Sequence, residues 1–280
     1  MSTSLDTASD AELLAAARGG DKAALSTLLE RYQAQVYRFG MKMCRDPEDA
    51  QDVLQETLLA MARGVRDFRG ASSLSTWLYT VARSFCIKKR RRSKFAPNET
   101  SLDAADASEV EAQGDPGRAP DEVLAGKEVE QALEHAIRAL EPMYREVLIL
   151  RDVEGLTAPE VAEVLGISAQ AVKSRLHRAR VAVRDGVAPV LGIPGDAPAA
   201  AGACPDVLTL FSKHLEDEIS AEVCHAMERH LEGCVRCRDA CDSLKQTLAL
   251  CRTTGPKTEV PTSVQSAVKR ALKDFLQESP

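Results

Sequence analysis

The stretch LTAPEVAEVLGISAQAVKSRLHRAR, running from Leu156 to Arg180, decides how the rest of the chain is read. Thr157 and Glu160 stand three residues apart ahead of an apolar series, the spacing of a capping box in which each side chain satisfies the other's backbone donor. Pro159 is tolerated in the first turn, where its missing N–H has no intrahelical partner to lose. Val161, Ala162 and Leu165 point inward, Gly166 ends the helix, and Ser168 caps the next one after a tight turn. In that second helix Val172, Leu176, Ala179 and Val183 recur at steps of four, three and four. Gln170, Lys173, Ser174, Arg175, His177 and Arg178 are left for the opposite faces. This is the pattern of a helix-turn-helix, whose first helix braces a second that enters the major groove by its N-terminal half. Gln and Arg there read base edges, while Lys, Ser and Arg hold phosphates. A helical hairpin with a solvated basic face is the competing reading of the same residues.

The charge balance agrees with nucleic acid only when taken locally. The 280 residues carry a net charge of −6. Yet Arg83 to Lys94, RSFCIKKRRRSK, holds seven basic residues and no acid, and Lys173 to Arg184 holds five more. The acids gather elsewhere, notably between Glu99 and Glu134, so basic patches stand on an acidic protein. No apolar run approaches the roughly 18 residues a membrane span needs. The N-terminus lacks a signal-peptide core, so the chain is expected to be cytoplasmic, with no membrane partner. In that reducing compartment the eight cysteines do not read as structural disulfides. Cys44 and Cys86 stand alone, and the other six fall between Cys204 and Cys251.

Apolar residues recur at helical spacing throughout, so the expected fold is all-α. Asp21 caps a helix with Leu25, Leu28, Leu29, Tyr32, Val36 and Phe39 on one face. DPED opens the next, with Asp46 as cap and Pro47 in the first turn, followed by a stripe of Ala50, Val53, Leu54, Thr57, Leu58 and Met61. A third helix carries Leu74, Trp77, Leu78, Val81 and Phe85 and exits into the basic run. These make a first domain over 8–94. Residues 95–125 are acidic and broken by Pro and Gly, a flexible linker; 126–187 form the helix-turn-helix domain; 188–203 are a second linker. A cysteine-rich domain follows over 204–252, and 253–280 end in an amphipathic helix, SAVKRALKDFLQE.

The first domain pairs an acidic helix face (Asp49, Asp52, Gln55 and Glu56) with an aromatic-bearing helix joined to Lys88, Lys89, Arg90 and Arg91. Aromatic next to basic suits melted single-stranded DNA, although Trp77 itself reads as core. In the cysteine-rich part, HLEGCVRCRDAC (His230 to Cys241) spaces its ligands H-x3-C-x2-C-x3-C, which is metal-ligand or redox chemistry. On one helix Cys234, Cys237 and Cys241 would align along a single face.

With these parts in this order, residues 8–187 resemble a bacterial sigma factor of the extracytoplasmic-function (group IV) type. DPEDAQDVLQET is similar to the core-binding helix of its region 2. The resemblance implies that Asp49, Asp52, Gln55 and Glu56 meet the β′ clamp helices of core RNA polymerase. FRGASSLSTWLYTVARS is similar to the minus-ten recognition loop and the helix after it. The Leu156–Arg180 stretch looks like region 4, which reads the minus-35 element and implies a contact with the polymerase β flap. A sigma factor catalyses no bond chemistry, so no enzyme is expected.

The tail resembles a zinc-binding anti-sigma fold, which implies Cys204, His230, Cys234 and Cys237 as Cys3His ligands, with 25 residues between Cys204 and His230. Cys224, Cys241 and Cys251 exceed that quartet, and extra thiolates suit a soft ion such as cadmium, zinc or copper(I). A sigma factor with an attached cysteine-rich domain resembles the CorE-like metal-responsive group, which implies metal control of polymerase or promoter engagement. The chain has no C-x-C pair, so cadmium or zinc is expected ahead of copper. Three alternatives stay open: a purely structural zinc with the remaining thiols inert in the core, a CVRC redox switch, and His214 or His225 as ligands. A DNA-binding regulator outside holoenzyme is the other class, and self-association through the tail fits the long linkers equally well. A zinc enzyme fits poorly, because four protein ligands leave no position for water.

Overall fold

The computed structural model describes residues 7–44, 46–70, 72–95, 120–192, 204–254 and 260–278. Among these there is no strand, and no helix is long and apolar enough to cross a membrane. The first body packs α1 (Asp10–Arg18), α2 (Lys22–Met43), α3 (Pro47–Gly64) and α4 (Leu74–Phe95). Ser9 and Glu12 form a capping box on α1, Asp21 accepts from the N–H groups of Ala23 and Ala24 at the head of α2, and Asp46 accepts from Glu48 at the head of α3. The inward face of α4 is rotated from the expected stripe. Leu78, Tyr79, Ala82 and Cys86 are buried, while Trp77, Val81 and Phe85 are only half-buried. Cys86 therefore sits in the core, and the tilted pair Phe68–Trp77, with centroids 5.5 Å apart, lies at its rim.

In the second body α5 (Pro120–Ala139) begins inside the stretch read as linker. It is followed by α6 (Pro142–Leu148), a π-helical turn (Ile149–Val153), α7 (Ala158–Leu165) and α8 (Ala169–Val187). The capping box of Thr157 and Glu160 forms, and Gly166 takes φ +65°, a left-handed conformation that any Cβ would strain. Ser168 then caps α8, whose buried stripe is Val172, Leu176, Ala179, Val183 and Val187. Gly186 lets α5 approach α8 closely, since a Cβ there would lie 2.7 Å from that of Ala136.

The two bodies touch directly. Arg38 forks onto Glu154 through Nε at 2.8 Å and Nη2 at 2.6 Å, Tyr79 donates to the same carboxylate at 2.7 Å, and Arg83 meets Glu146 at 3.0 Å. Burial together with Glu154 pushes the Tyr79 hydroxyl far above its ordinary range, so it stays a donor.

The tail folds as α9 (Val207–His214), α10 (Ala221–Gly233) and α11 (Val235–Thr254) around a small core of Val207, Phe211, Met227, Leu244 and Leu248. The last helix, α12 (Thr262–Glu278), lies against α3, with Val260, Val264, Val268 and Leu272 buried in the core of the first body. Lys269 pairs with Glu30 of α2 at 3.4 Å. The chain thus folds back so that its tail touches both earlier bodies.

Candidate functional site

Four ligand atoms, one each from Cys204, His230, Cys234 and Cys237, lie within 4.8 Å of one another. Cys204 precedes α9, His230 lies in the last turn of α10, Cys234 is the C-cap of α10, and Cys237 is in the first turn of α11. One cluster therefore ties all three tail helices. The Sγ atoms of Cys204 and Cys234 are 3.9 Å apart, against about 3.8 Å for the edge of a tetrahedron with 2.3 Å zinc–sulfur bonds. His230 Nε2 is buried without a hydrogen-bond partner, an unsatisfied acceptor of the kind a metal ion completes. The backbone N–H of Cys237, then its thiol, lowers the pKa of Cys234. Burial, followed by the hydrogen bond with Cys234, pushes Cys237 up to about 12. The residues fit a Cys3His zinc site, and bound zinc would supply the cross-link that a core this small lacks.

The remaining cysteines lie apart from this cluster. Cys241 is buried, 4.0 Å from the carbonyl of Val207, and Cys251 is buried in the larger core; burial raises both thiols, Cys251 to about 12. Cys224 sits 3.6 Å from His214 Nδ1 and 3.7 Å from Glu228. Cys241 keeps the face of Cys237 one turn further along α11, where its sulfur packs into the tail core as a small hydrophobe, whereas Cys234 lies off that helix as the C-cap of α10. Neither His214 nor His225 joins the four-ligand cluster.

The DNA-facing side of α8 is divided. Gln170, Ser174 and Arg178 are exposed, Arg178 reaching the Tyr144 hydroxyl at 3.2 Å, and Arg175 is half-exposed. Lys173 and His177 are covered by the tail. Lys173 donates to the main-chain carbonyl of Glu216 at 2.9 Å and pairs with Glu218 at 3.7 Å. His177 Nε2 lies 3.0 Å from the Thr209 hydroxyl, and burial lowers its pKa. Asp217 makes the double contact to Lys173 reachable, because its φ of +55° curls the chain between Glu216 and Glu218.

Behind this face is a buried network that sequence reasoning missed. Arg180, 1% exposed, binds Asp152 through two bonds of 2.8 and 2.7 Å, Glu216 at 2.7 Å, and Ser212. Arg151 meets Glu216 at 3.2 Å, and Arg184 donates to Ser243 of α11 at 3.0 Å. One signal was available, since HLEDE (His214 to Glu218) is an acidic run of the right sign for a basic recognition helix.

In the first body, Asp52, Gln55 and Glu56 line the outer side of α3, and Asp49 is half-buried. Lys89, expected at DNA, instead bridges Asp49 at 3.1 Å and Asp52, because α4 brings it over the N-terminal half of α3. Lys88, Arg90 and Arg91 remain exposed, Lys88 above the Phe85 ring at 4.9 Å.

Comparison with known proteins covers every body just described. Residues 28–95 match the family "Sigma-70 region 2", residues 130–183 match "Sigma-70, region 4", and residues 204–238 match "Putative zinc-finger". The chain is 33% identical over 172 residues to the ECF RNA polymerase sigma factor SigM of Mycobacterium tuberculosis, covering 61% of this chain and 81% of that one. To the RNA polymerase sigma-H factor of Pseudomonas aeruginosa it is 30% identical over 190 residues, covering 65% and 95%. A solved structure of CnrH with the cytosolic domain of CnrY aligns at a TM-score of 0.43 and 24% identity, over 62% of this chain and 94% of that one. Region 2, region 4 and a sequence relationship spanning both place this chain in the family of ECF RNA polymerase sigma factors, non-enzymatic transcription initiation factors, with a zinc-finger-like domain at its C-terminal side.

Proposed function

We propose that this sigma factor is restrained by its own C-terminal domain, and that the Cys204–His230–Cys234–Cys237 site sets the strength of the restraint. One observation carries the reading: the helix that begins beside Cys204 is the helix that docks on α8. Asp206 caps α9, Thr209 meets His177, Ser212 meets Arg180, and Glu216, just beyond the helix, holds Arg180, Arg151 and Lys173. The Glu218 carboxylate pairs with Lys173 as a phosphate would, beside the main-chain carbonyl of Glu216, and α12 lies along α3.

The restrained form is also too closed to read a promoter. Elements centred at minus 35 and minus ten lie roughly 85 Å apart on B-DNA, at 3.4 Å per base pair. The Arg38–Glu154 and Tyr79–Glu154 bonds hold the two DNA-reading bodies in contact. Opening must break them, and the 24 residues between Phe95 and Pro120 reach roughly 80 Å when fully extended. Asp49, Asp52, Gln55 and Glu56 then face the polymerase β′ clamp helices, while Gln170, Lys173, Ser174, Arg175, His177 and Arg178 face the minus-35 element. Lys88, Arg90 and Arg91 follow melted DNA near the minus-ten element. Zinc is the resident ion. Cadmium, a larger thiophilic ion, is the exchange candidate that would re-space the ligands and loosen α9. The switch is a population shift whose size equals the metal's differential affinity for the two arrangements.

The test is transcription by purified full chain with core polymerase on genomic DNA in reducing buffer, with zinc, cadmium and copper titrated separately. Discrete starts that change in number with one metal are expected. Starts that no metal alters refute the gating, and absence of any specific start refutes the assigned contacts.

A further inference from the structure

The first body contains two cysteines far apart in sequence that are not members of the four-ligand cluster. Cys44 is the C-cap of α2, half-buried, and Cys86 lies in the buried stripe of α4. Their Sγ atoms are 3.7 Å apart, within hydrogen-bond reach. We propose that Cys44 and Cys86 form an oxidisable dithiol, a redox site separate from the metal-ligand cluster, which low-molecular-weight disulfides convert to an intramolecular disulfide.

The geometry requires little movement. A disulfide places its sulfurs about 2.05 Å apart, so the pair must close by about 1.7 Å from its present separation. Cys44 stands where a helix ends and its backbone is extended, φ −86° and ψ 155°, so the closing motion does not have to deform a helical turn on that side. The two thiols are chemically unequal, which gives each a role. Cys44 is the more exposed, and its pKa is lowered, first by the hydrogen bond with Cys86, with burial and then Asp49 opposing and Lys89 and Arg90 assisting. Cys86 is pushed far up by that same hydrogen bond and by burial, so it waits as the thiol.

The chemistry balances as thiol–disulfide exchange. The Cys44 thiolate attacks one sulfur of RSSR, forming a Cys44–SR bond and expelling RS⁻, which takes up the proton Cys44 lost. Cys86 then gives up its proton and attacks Cys44 Sγ, expelling the second RS⁻, which is protonated in turn. Two electrons leave the protein, and the oxidant becomes two thiols. Closure ties the end of α2 to α4 one turn before Lys89, the residue that bridges Asp49 and Asp52.

The experiment exposes zinc-loaded full chain to graded glutathione redox buffers, traps free thiols by alkylation after rapid unfolding, and maps cysteine-containing peptides by mass. The expected result is a linked Cys44–Cys86 peptide pair, reversed by dithiothreitol, while Cys204, Cys234 and Cys237 stay zinc-bound. Cys86→Ala should leave Cys44 carrying a stable mixed disulfide with glutathione, and Cys44→Ala should abolish the link and leave Cys86 as a free thiol. Circular dichroism checks that both variants are folded, and the half-buried Cys44 variant keeps the test decisive should loss of the core thiol disturb α4. Recovery of both residues as free thiols at potentials that already oxidise the zinc ligands overturns the proposal. So does a Cys44 mixed disulfide that persists in the unsubstituted chain. Neither readout involves polymerase or DNA, so failure of the promoter assay leaves this result intact.

Discussion

Substituting Glu216→Gln tests the restraint at the point where it is strongest. The Glu216 side chain is 4% exposed, accepts from Arg180 at 2.7 Å and from Arg151 at 3.2 Å, and belongs to the tail, whereas both arginines belong to region 4. Gln keeps the volume and one carbonyl acceptor but removes the charge, so the loss is electrostatic and not a cavity. Breaking a buried ion pair ordinarily costs about 3–5 kcal/mol because a charge is left unpaired. Here Arg180 keeps its two-bond contact with Asp152, so the cost is closer to that of hydrogen bonds to charged groups, about 2–3 kcal/mol. At 1.4 kcal/mol per tenfold, undocking should become about 30- to 140-fold more frequent. The assay is amide hydrogen exchange on the full zinc-loaded chain, read over Val207–His214 of α9, and exchange there should accelerate by that factor. The exposed pair Asp242–Lys245 is the control, and Asp242→Asn should leave α9 unchanged. Unchanged α9 protection in Glu216→Gln, with zinc content intact, would refute the claim that this network holds the tail on region 4.

Further outcomes are expected. Cys204→Ser should abolish stoichiometric zinc binding and unfold the tail, whereas Cys241→Ala should retain zinc and cost about 1–2 kcal/mol of tail stability, as metal analysis and denaturant melts will read. Docking should weaken as pH falls. Burial first, then Lys213, Arg180 and Arg178 against the opposing Asp206, hold His177 below its ordinary 6.5 when docked. The neutral ring therefore favours docking fully above pH 6.5, and the advantage is lost as pH drops through the lower docked value. His177→Gln should flatten the acid limb of α9 exchange against pH. Finally, Gly186→Ala forces a Cβ to 2.7 Å from Ala136 and should destabilise region 4 by about 1–3 kcal/mol despite the better helix propensity of alanine; a rise in melting temperature would show that α5 can simply step away.

The parts of this protein written in short-range periodicity were legible without coordinates. Thr157 with Glu160, Gly166, Ser168 and the Val172–Val183 stripe specify the helix-turn-helix through contacts no more than four residues apart. The ligand spacing around His230, Cys234 and Cys237 follows from the same local geometry, with Cys204 the one distant member. Other features depend on packing between distant segments. Arg38 and Glu154 are 116 positions apart, Cys44 and Cys86 are 42 apart, and Glu216 and Arg180 are 36 apart; nothing in the sequence near one member announces the other. Lys89 read as a DNA contact because a basic run has no direction in one dimension, and α4 had to be laid across α3 before it met Asp49 and Asp52. Cys241 and Cys251 shared the composition of a metal site, yet they lie further along α11 than Cys237 and pack into the tail core and the larger core. Helical periodicity says which face of a helix is buried. Only the packed arrangement decides what that face is buried against, and here that choice seats the acidic turn of the tail on the recognition helix.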